Sequence, residues 1–447
     1  MTWRRLAGLL LVAAVVLPVP LAVAPAALAD GIRTPRNPSY TVRLTGDATG
    51  TVWTGHISVA FANPSVDPLG DVNLRLWGNA RGSCRSAPVT VTHVTGGRAG
   101  PLTVGCTSLR VALATRLRRG QSAVVGFDVT IRVPPGAGRF GRSGPYRYLG
   151  GALPVLAVRD GAGWHREPPT RLGPHAYTVA GDFSVTLDHP SALLVPATGT
   201  ASDAPGAPGR TVTTVTASGV RDFAWAAGPF VRTSGVTGAG TVVNVYRTAG
   251  VAAGRAAALT SVAARAMDTY AQFGAYPYGE VDVVLDGRLG EAGTAYPGVV
   301  FGRPETLPLA RSLARQWWYG VVGSDGYGSP WLDEAFSAYA ADLYLGRTGA
   351  GCGRRTAWAS RDEKVTNSMA YWEAHPGRYA TVVAGYGSCA LHDLRRALGA
   401  ETMRTLLRTY ARATWDGVAT TAVFTSHAQA VSPAYLSAFW RTHRIAN

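Results

Sequence analysis

Between Tyr40 and about Ser218, apolar and polar residues alternate in short runs set off by Gly, Pro and Asp. TVRLTG (41–46), HISVAFAN (56–63), VNLRLWGN (72–79), SAVVGFDVTIRV (122–133), FSVTLDHP (183–190) and TVTTVTAS (211–218) are β-branched or alternating, the pattern of half-buried strands. The stretches 134–145 (PPGAGRFGRSGP) and 197–210 (ATGTASDAPGAPGR) read as surface loops from their Gly, Pro and Ser content. Strands at this spacing, with no helical period between them, predict an all-β, sandwich-like domain over 30–235.

After RTSGVTGAG (232–240) the period changes. Two strand-like runs, TVVNVYRT (241–248) and VDVVLDG (281–287), flank a segment with helical apolar spacing that stops at Gly274. Helices then dominate. Thr306 and Pro308 open one through Trp318, Pro330 opens a second that Gly346 closes, and a third runs from near Tyr386 to Gly399. The second domain, 236–447, is therefore expected to be mostly α-helical, and the whole chain α+β and multidomain.

Residues 1–29 have the form of an export signal. Arg4 and Arg5 precede an apolar run to Leu28 and the small-residue site Ala27-Leu28-Ala29, which places the mature start at Asp30. The competing reading is a retained anchor, but Pro18, Pro20 and Pro25 interrupt the run, and no later segment is long and apolar enough to span a bilayer. Four cysteines lie in the exported part, as suits an oxidising extracytoplasmic compartment of the cell envelope. Of three possible pairings, Cys84 with Cys106 and Cys352 with Cys389 keeps each bridge inside one domain and is the expected one. The formal charge of +16 falls by two when Arg4 and Arg5 leave with the signal. Attraction to anionic envelope polymers or membrane surfaces is one reading of that charge; the stronger is plain composition, since Lys364 is the only lysine and the arginines are spread along an Ala/Gly/Arg-rich sequence. Binding to nucleic acid does not follow from it, because the arginines are scattered and no basic cluster is interleaved with aromatics.

Candidate chemistry gathers between Gly293 and Tyr386. RSLARQWWYG (311–320) and WLDEAFSAY (331–339) place Arg311, Ser312 and Arg315 on one helix and Glu334 on the next, with eighteen residues between Arg315 and Glu334. This chain resembles a short bacterial, exported member of the M1 family of zinc aminopeptidases, the gluzincins, whose pattern is H-E-x-x-H, eighteen residues, then E. The resemblance extends over LRLWGN (74–79), RFG (139–141), VRDFAWAA (220–227) and GAYPYGEVDVV (274–284). It implies a thermolysin-like second domain. It also implies that Gly293, Ala295 and Tyr296 in GTAYPG lie in the substrate loop, with Ala295 where the family has the glutamate that holds the substrate's amine. Tyr386, in YGSC, is similar to the family's transition-state tyrosine.

The departures decide what this resemblance predicts. Two imidazoles on adjacent turns and a neighbouring carboxylate would make a zinc site. Here the ligand positions are Arg311, Arg315 and Glu334, and arginine offers only donors. The base position is Ser312, which cannot take a proton from water near neutrality as a glutamate does. No two of the nine histidines stand at i+2, i+3 or i+4, so no replacement metal site is legible. The expectation is a catalytically inactive M1-like protein with no cofactor, a peptide- or anion-binding or structural partner protein. The alternative is residual zinc aminopeptidase activity.

Overall fold

A computed structural model describes residues 34–173, 177–349, 352 and 357–445. The expected export signal and His175 lie outside the described residues.

The first domain is a two-sheet sandwich. Its larger sheet has seven strands, ordered Thr200–Pro205, Arg210–Val220, Gly181–Pro190, Arg36–Gly46, Val52–Ala62, Ser122–Arg132 and Val89–Thr95. A four-stranded sheet ordered Val155–Leu156, Leu69–Arg75, Ser108–Leu117 and Gly97–Thr103 faces it. In the strand Arg36–Gly46 the residues Tyr40, Val42 and Leu44 are buried while Arg43 and Thr45 are exposed, as the alternation predicts. Val42, Ile57, Val72, Val111, Phe127 and Val185 from both sheets form one core. All six expected strands of this domain are present.

Two expected loops contain strands. Thr200–Pro205 pairs with Arg210–Val220 at the edge of the large sheet, and all six of its side chains are exposed, so it has no buried face to write an alternating pattern. Phe140–Ser143, inside 134–145, pairs with Tyr146–Leu149 in a small sheet near the second domain.

The strand Val231–Val236 straddles the expected boundary at 235 and belongs to a second, five-stranded sheet. It pairs antiparallel with Val242–Arg247, which runs parallel to Glu280–Leu285 and, through it, to Val299–Gly302. The antiparallel strand Gly293–Tyr296 closes the far edge. Helix α1 (Ala253–Tyr270) makes the crossover between the first parallel pair. There follow α2 (Thr306–Ala314), α3 (Trp331–Tyr344), α4 (Met369–Ala374), α5 (Pro376–Tyr379), α6 (Gly387–Leu398), α7 (Ala400–Ala413), α8 (Thr421–Val431) and α9 (Ser437–Thr442). They share a core in which Trp317, Trp318, Trp331 and Phe336 are almost fully buried, so these tryptophans are packing residues. The helix expected through Trp318 stops at Ala314 and gives way to a wider π-type turn over Gln316–Val321, with Trp318 at φ −92° and ψ 62°.

Both expected disulfides form, Cys84 with Cys106 and Cys352 with Cys389, each with Cα atoms 5.3 Å apart. Among the described residues no helix is long and apolar enough to cross a membrane.

Candidate functional site

The site is built where α2 packs on α3 beside the edge strand Gly293–Tyr296. Pro330 sits immediately before α3, and Asp333 and Glu334 fall in its first turn, where the helix dipole favours negative charge. Arg315 sits at the opposite polarity, capping the C-terminal end of α2. The guanidinium of Arg315 joins the two helices: Nε donates to Asp333 Oδ1 at 2.9 Å and Nη2 to Glu334 Oε2 at 2.6 Å. Asp333 is 3% exposed and the other two side chains 16% each. Burial works against the Arg315 charge, but the Glu334 and Asp333 carboxylates outweigh it and raise its pKa. Burial also pushes the Asp333 carboxyl above the ordinary range, since one guanidinium must serve two acids.

Arg311, one turn earlier on α2, is half-buried and makes no hydrogen bond or ion pair among the described residues; its Nε is fully covered. Burial and the neighbouring Arg315 lower its pKa. Ser312 is 1% exposed, and its hydroxyl has no hydrogen-bond partner among the described residues. It presses on the edge strand: a Cβ added to Gly293 would lie 2.4 Å from Ser312 Oγ, which explains glycine there. No base reaches this hydroxyl, so it is not an activated nucleophile.

Ala295 and Tyr296 are buried, Ala295 within the helical-domain core and Tyr296 in an aromatic cluster with Tyr148 and Phe301 between the domains. Gly150 makes room for the Tyr296 ring, for a Cβ there would fall 2.2 Å from its hydroxyl. The structure does not bring Tyr386 to Arg315 and Glu334. Its hydroxyl donates to the Ala357 carbonyl at 3.2 Å and its ring packs on Trp358. The tyrosine that does face the acids is Tyr379, at the end of α5. Its buried hydroxyl lies beside Glu334, and burial, then the Glu334 and Asp333 charges, raise its pKa well above the usual value.

Three further groups complete the site. Gln316 is fully buried: its Oε1 accepts from Gly298 N at 2.8 Å and its Nε2 donates to the Tyr296 carbonyl at 3.0 Å, so the π-type turn after α2 fixes the turn of GTAYPG. Arg139, from the first domain, holds Glu291 through Nε and through Nη2, the latter at 2.8 Å, and Thr294 donates to the same carboxylate at 2.6 Å. Arg139 also donates to the Gly173 carbonyl at 3.4 Å, and Gly173 packs against the Tyr379 hydroxyl. Asp333, Tyr379 and Glu291 were not legible as site residues. The adjacent acids in WLDEAFSAY were the only hint of Asp333.

No family sequence model matches the chain and no curated protein matches it. Solved structures do. An M1 zinc metallopeptidase from Deinococcus radiodurans superposes with a TM-score of 0.70 at 17% identity, covering 94% of both chains. A single-residue variant of it bound to a Tyr-Ser-Ala substrate superposes equally well, at 18% identity over 93% of this chain and 94% of that one. A variant of a two-domain M1 zinc metallopeptidase bound to L-tryptophan also matches, with a TM-score of 0.70, 18% identity and 93% and 95% coverage. The group that such a fold implies is a zinc ion, and the residues present do not fit one. Arg311 and Arg315 have no lone pair to give, and Glu334 Oε2 already accepts from Arg315.

Proposed function

We propose that this chain, which has the two-domain M1 peptidase fold, keeps the scaffold of a metallopeptidase without its catalysis. The observation that carries this reading is the Arg315 guanidinium bonded to both Asp333 and Glu334. A fixed internal cation there serves the electrostatic need of the α3 carboxylates, and it activates no water. Ser312 supplies no base and Ala295 no amine anchor, so neither proton transfer nor capture of a substrate's N-terminus is provided for.

The role that remains is binding. Arg311 is the one guanidinium of the α2–α3 corner without an anion, and its fork suits a peptide or envelope carboxylate. The two disulfides and the leader-like first 29 residues support an exported protein acting outside the cytoplasm.

The test is elemental analysis of the untagged chain from Asp30, dialysed against trace zinc, with aminoacyl reporter assays and titration of an N-acetylated tripeptide alongside. Substoichiometric zinc, no hydrolysis and saturable peptide binding lost in Arg311→Ala are expected. Stoichiometric zinc that disappears in Glu334→Gln would overturn the non-catalytic reading. A flat peptide titration would remove the binding role and leave that of a structural partner.

A further inference from the structure

We infer that a second concavity, between the end of α1, the middle of α3 and the junction of α6 with α7, is a binding site for a small carboxylate with an apolar body. Its lining shares no residue with the α2–α3 corner.

The cavity has a volume of about 290 Å³, which suits a short molecule. Phe273, Leu343 and Leu407 form its apolar floor. Three features converge on that floor, and each supplies a donor or positive potential. The first is Tyr339, 2% exposed, whose ring packs on His392 and whose hydroxyl has no hydrogen-bond partner among the described residues. The residue is buried but its hydroxyl opens on the cavity, so it is a donor available to an acceptor there.

The second feature is Arg395, on the last turn of α6, which lines the cavity and makes no hydrogen bond or ion pair among the described residues. It lies close enough to Tyr339 to act on that hydroxyl electrostatically. The third is the start of α7, a fourteen-residue helix whose N-cap is Gly399 at φ 83° and ψ 155°, with no side chain capping it. Ala400 and Glu401 of that first turn line the cavity, so uncapped backbone N–H groups and the positive end of the dipole border it.

The charge count selects the ligand. Arg404 at the rim is already paired with Glu401, which leaves Arg395 as the single uncompensated charge. One planar monoanion matches one free guanidinium, whereas a phosphate dianion would bring excess charge next to Glu401 and leave the floor of Phe273, Leu343 and Leu407 uncovered. A carboxylate accepts from Arg395 and Tyr339 at once, while its alkyl or aryl part covers the floor.

Hexanoate, hexanol and inorganic phosphate separate these contributions, read by calorimetric titration and by thermal shift on the full chain from Asp30. Hexanoate should bind saturably and raise the melting temperature, and hexanol and phosphate should not. Arg395→Gln should weaken hexanoate about tenfold or more, the loss of one charge-assisted hydrogen bond. Tyr339→Phe should weaken it by a smaller factor. No saturation with hexanoate, or saturation unaltered in Arg395→Gln, overturns the inference. So does binding abolished by Arg311→Gln, which would assign the anion to the other corner.

Discussion

Two clusters in this molecule hold one cation between two carboxylates, and they differ in what the cation can do. In the first domain His165 bridges Asp160, 2.8 Å from Nε2, and Glu167, 2.6 Å from Nδ1. In the second, Arg315 bridges Asp333 and Glu334 over nearly the same distances. The imidazole is held protonated by its partners, Glu167 foremost, and its pKa is pushed up to about 9. Both of its acids keep lowered pKa values in spite of burial, because His165 and backbone N–H groups donate to them, and at 25–31% exposure burial costs them less. Asp333, at 3% exposure, has no such help, and its pKa rises although a guanidinium touches it. Equal stoichiometry thus gives different electrostatics, set by how far each acid is buried and by how many donors reach it.

The sharpest way to break this comparison is to remove each cation. Arg315→Met should cost roughly 3–5 kcal/mol in urea unfolding, the usual penalty for leaving buried charge unpaired. Adding Asp333→Asn and Glu334→Gln should return a large part of that loss, because no carboxylate is then stranded. A loss below about 1 kcal/mol, typical of exposed pairs, would mean that water reaches the corner and that the guanidinium does not stand in for a metal.

The second prediction uses the one difference that only the histidine cluster offers, titration. The folded-state value of about 9 lies above the ordinary histidine value of 6.5, so the native chain binds the extra proton between the two. This stabilisation is complete below pH 6.5 and is lost as pH rises through 9. The melting temperature should therefore fall across that window, and His165→Gln should flatten the fall. Asp222 and Asp282, buried acids pushed up to about 7 and about 8, also favour the folded state less as pH rises. The measurement is accordingly the difference between the two chains' profiles. Identical profiles would show that His165 is not the proton carrier.

How much of this was legible in the sequence depends on what each residue packs against. The strands Arg36–Gly46 and Val52–Ala62 bury one face and wrote that face as alternation, whereas Thr200–Pro205 buries none and read as a loop. Both disulfides followed from domain organisation alone. Spacing also placed Arg315 and Glu334 together, since eighteen intervening residues carry the chain from the end of α2 to the first turn of α3. Asp333 escaped because adjacent residues on a helix diverge by about 100°, and only the long fork of Arg315 collects both acids. Tyr379 was passed over for Tyr386 because a short motif stood in for a contact that depends on where α5 ends. The bridge from Arg139 to Glu291 crosses between domains, where no local period can record it.

The smallest expected effect tests whether the corner is a finished piece of packing. Ser312 has a buried hydroxyl with no partner among the described residues, pressed against the backbone of Gly293. An unsatisfied buried polar group costs free energy, and its removal leaves little space in a contact this close. Ser312→Ala should therefore shift stability by no more than about 1 kcal/mol, in the stabilising direction. Ser312→Glu should destabilise, since the larger side chain must displace the strand Gly293–Tyr296 or bring a third carboxylate to Arg315. If Ser312→Glu were as stable as the parent, the edge strand would be free to move aside, and restoring a base at this position would not be limited by packing. If Ser312→Ala instead cost several kcal/mol, the hydroxyl would have a partner that the present geometry does not give it.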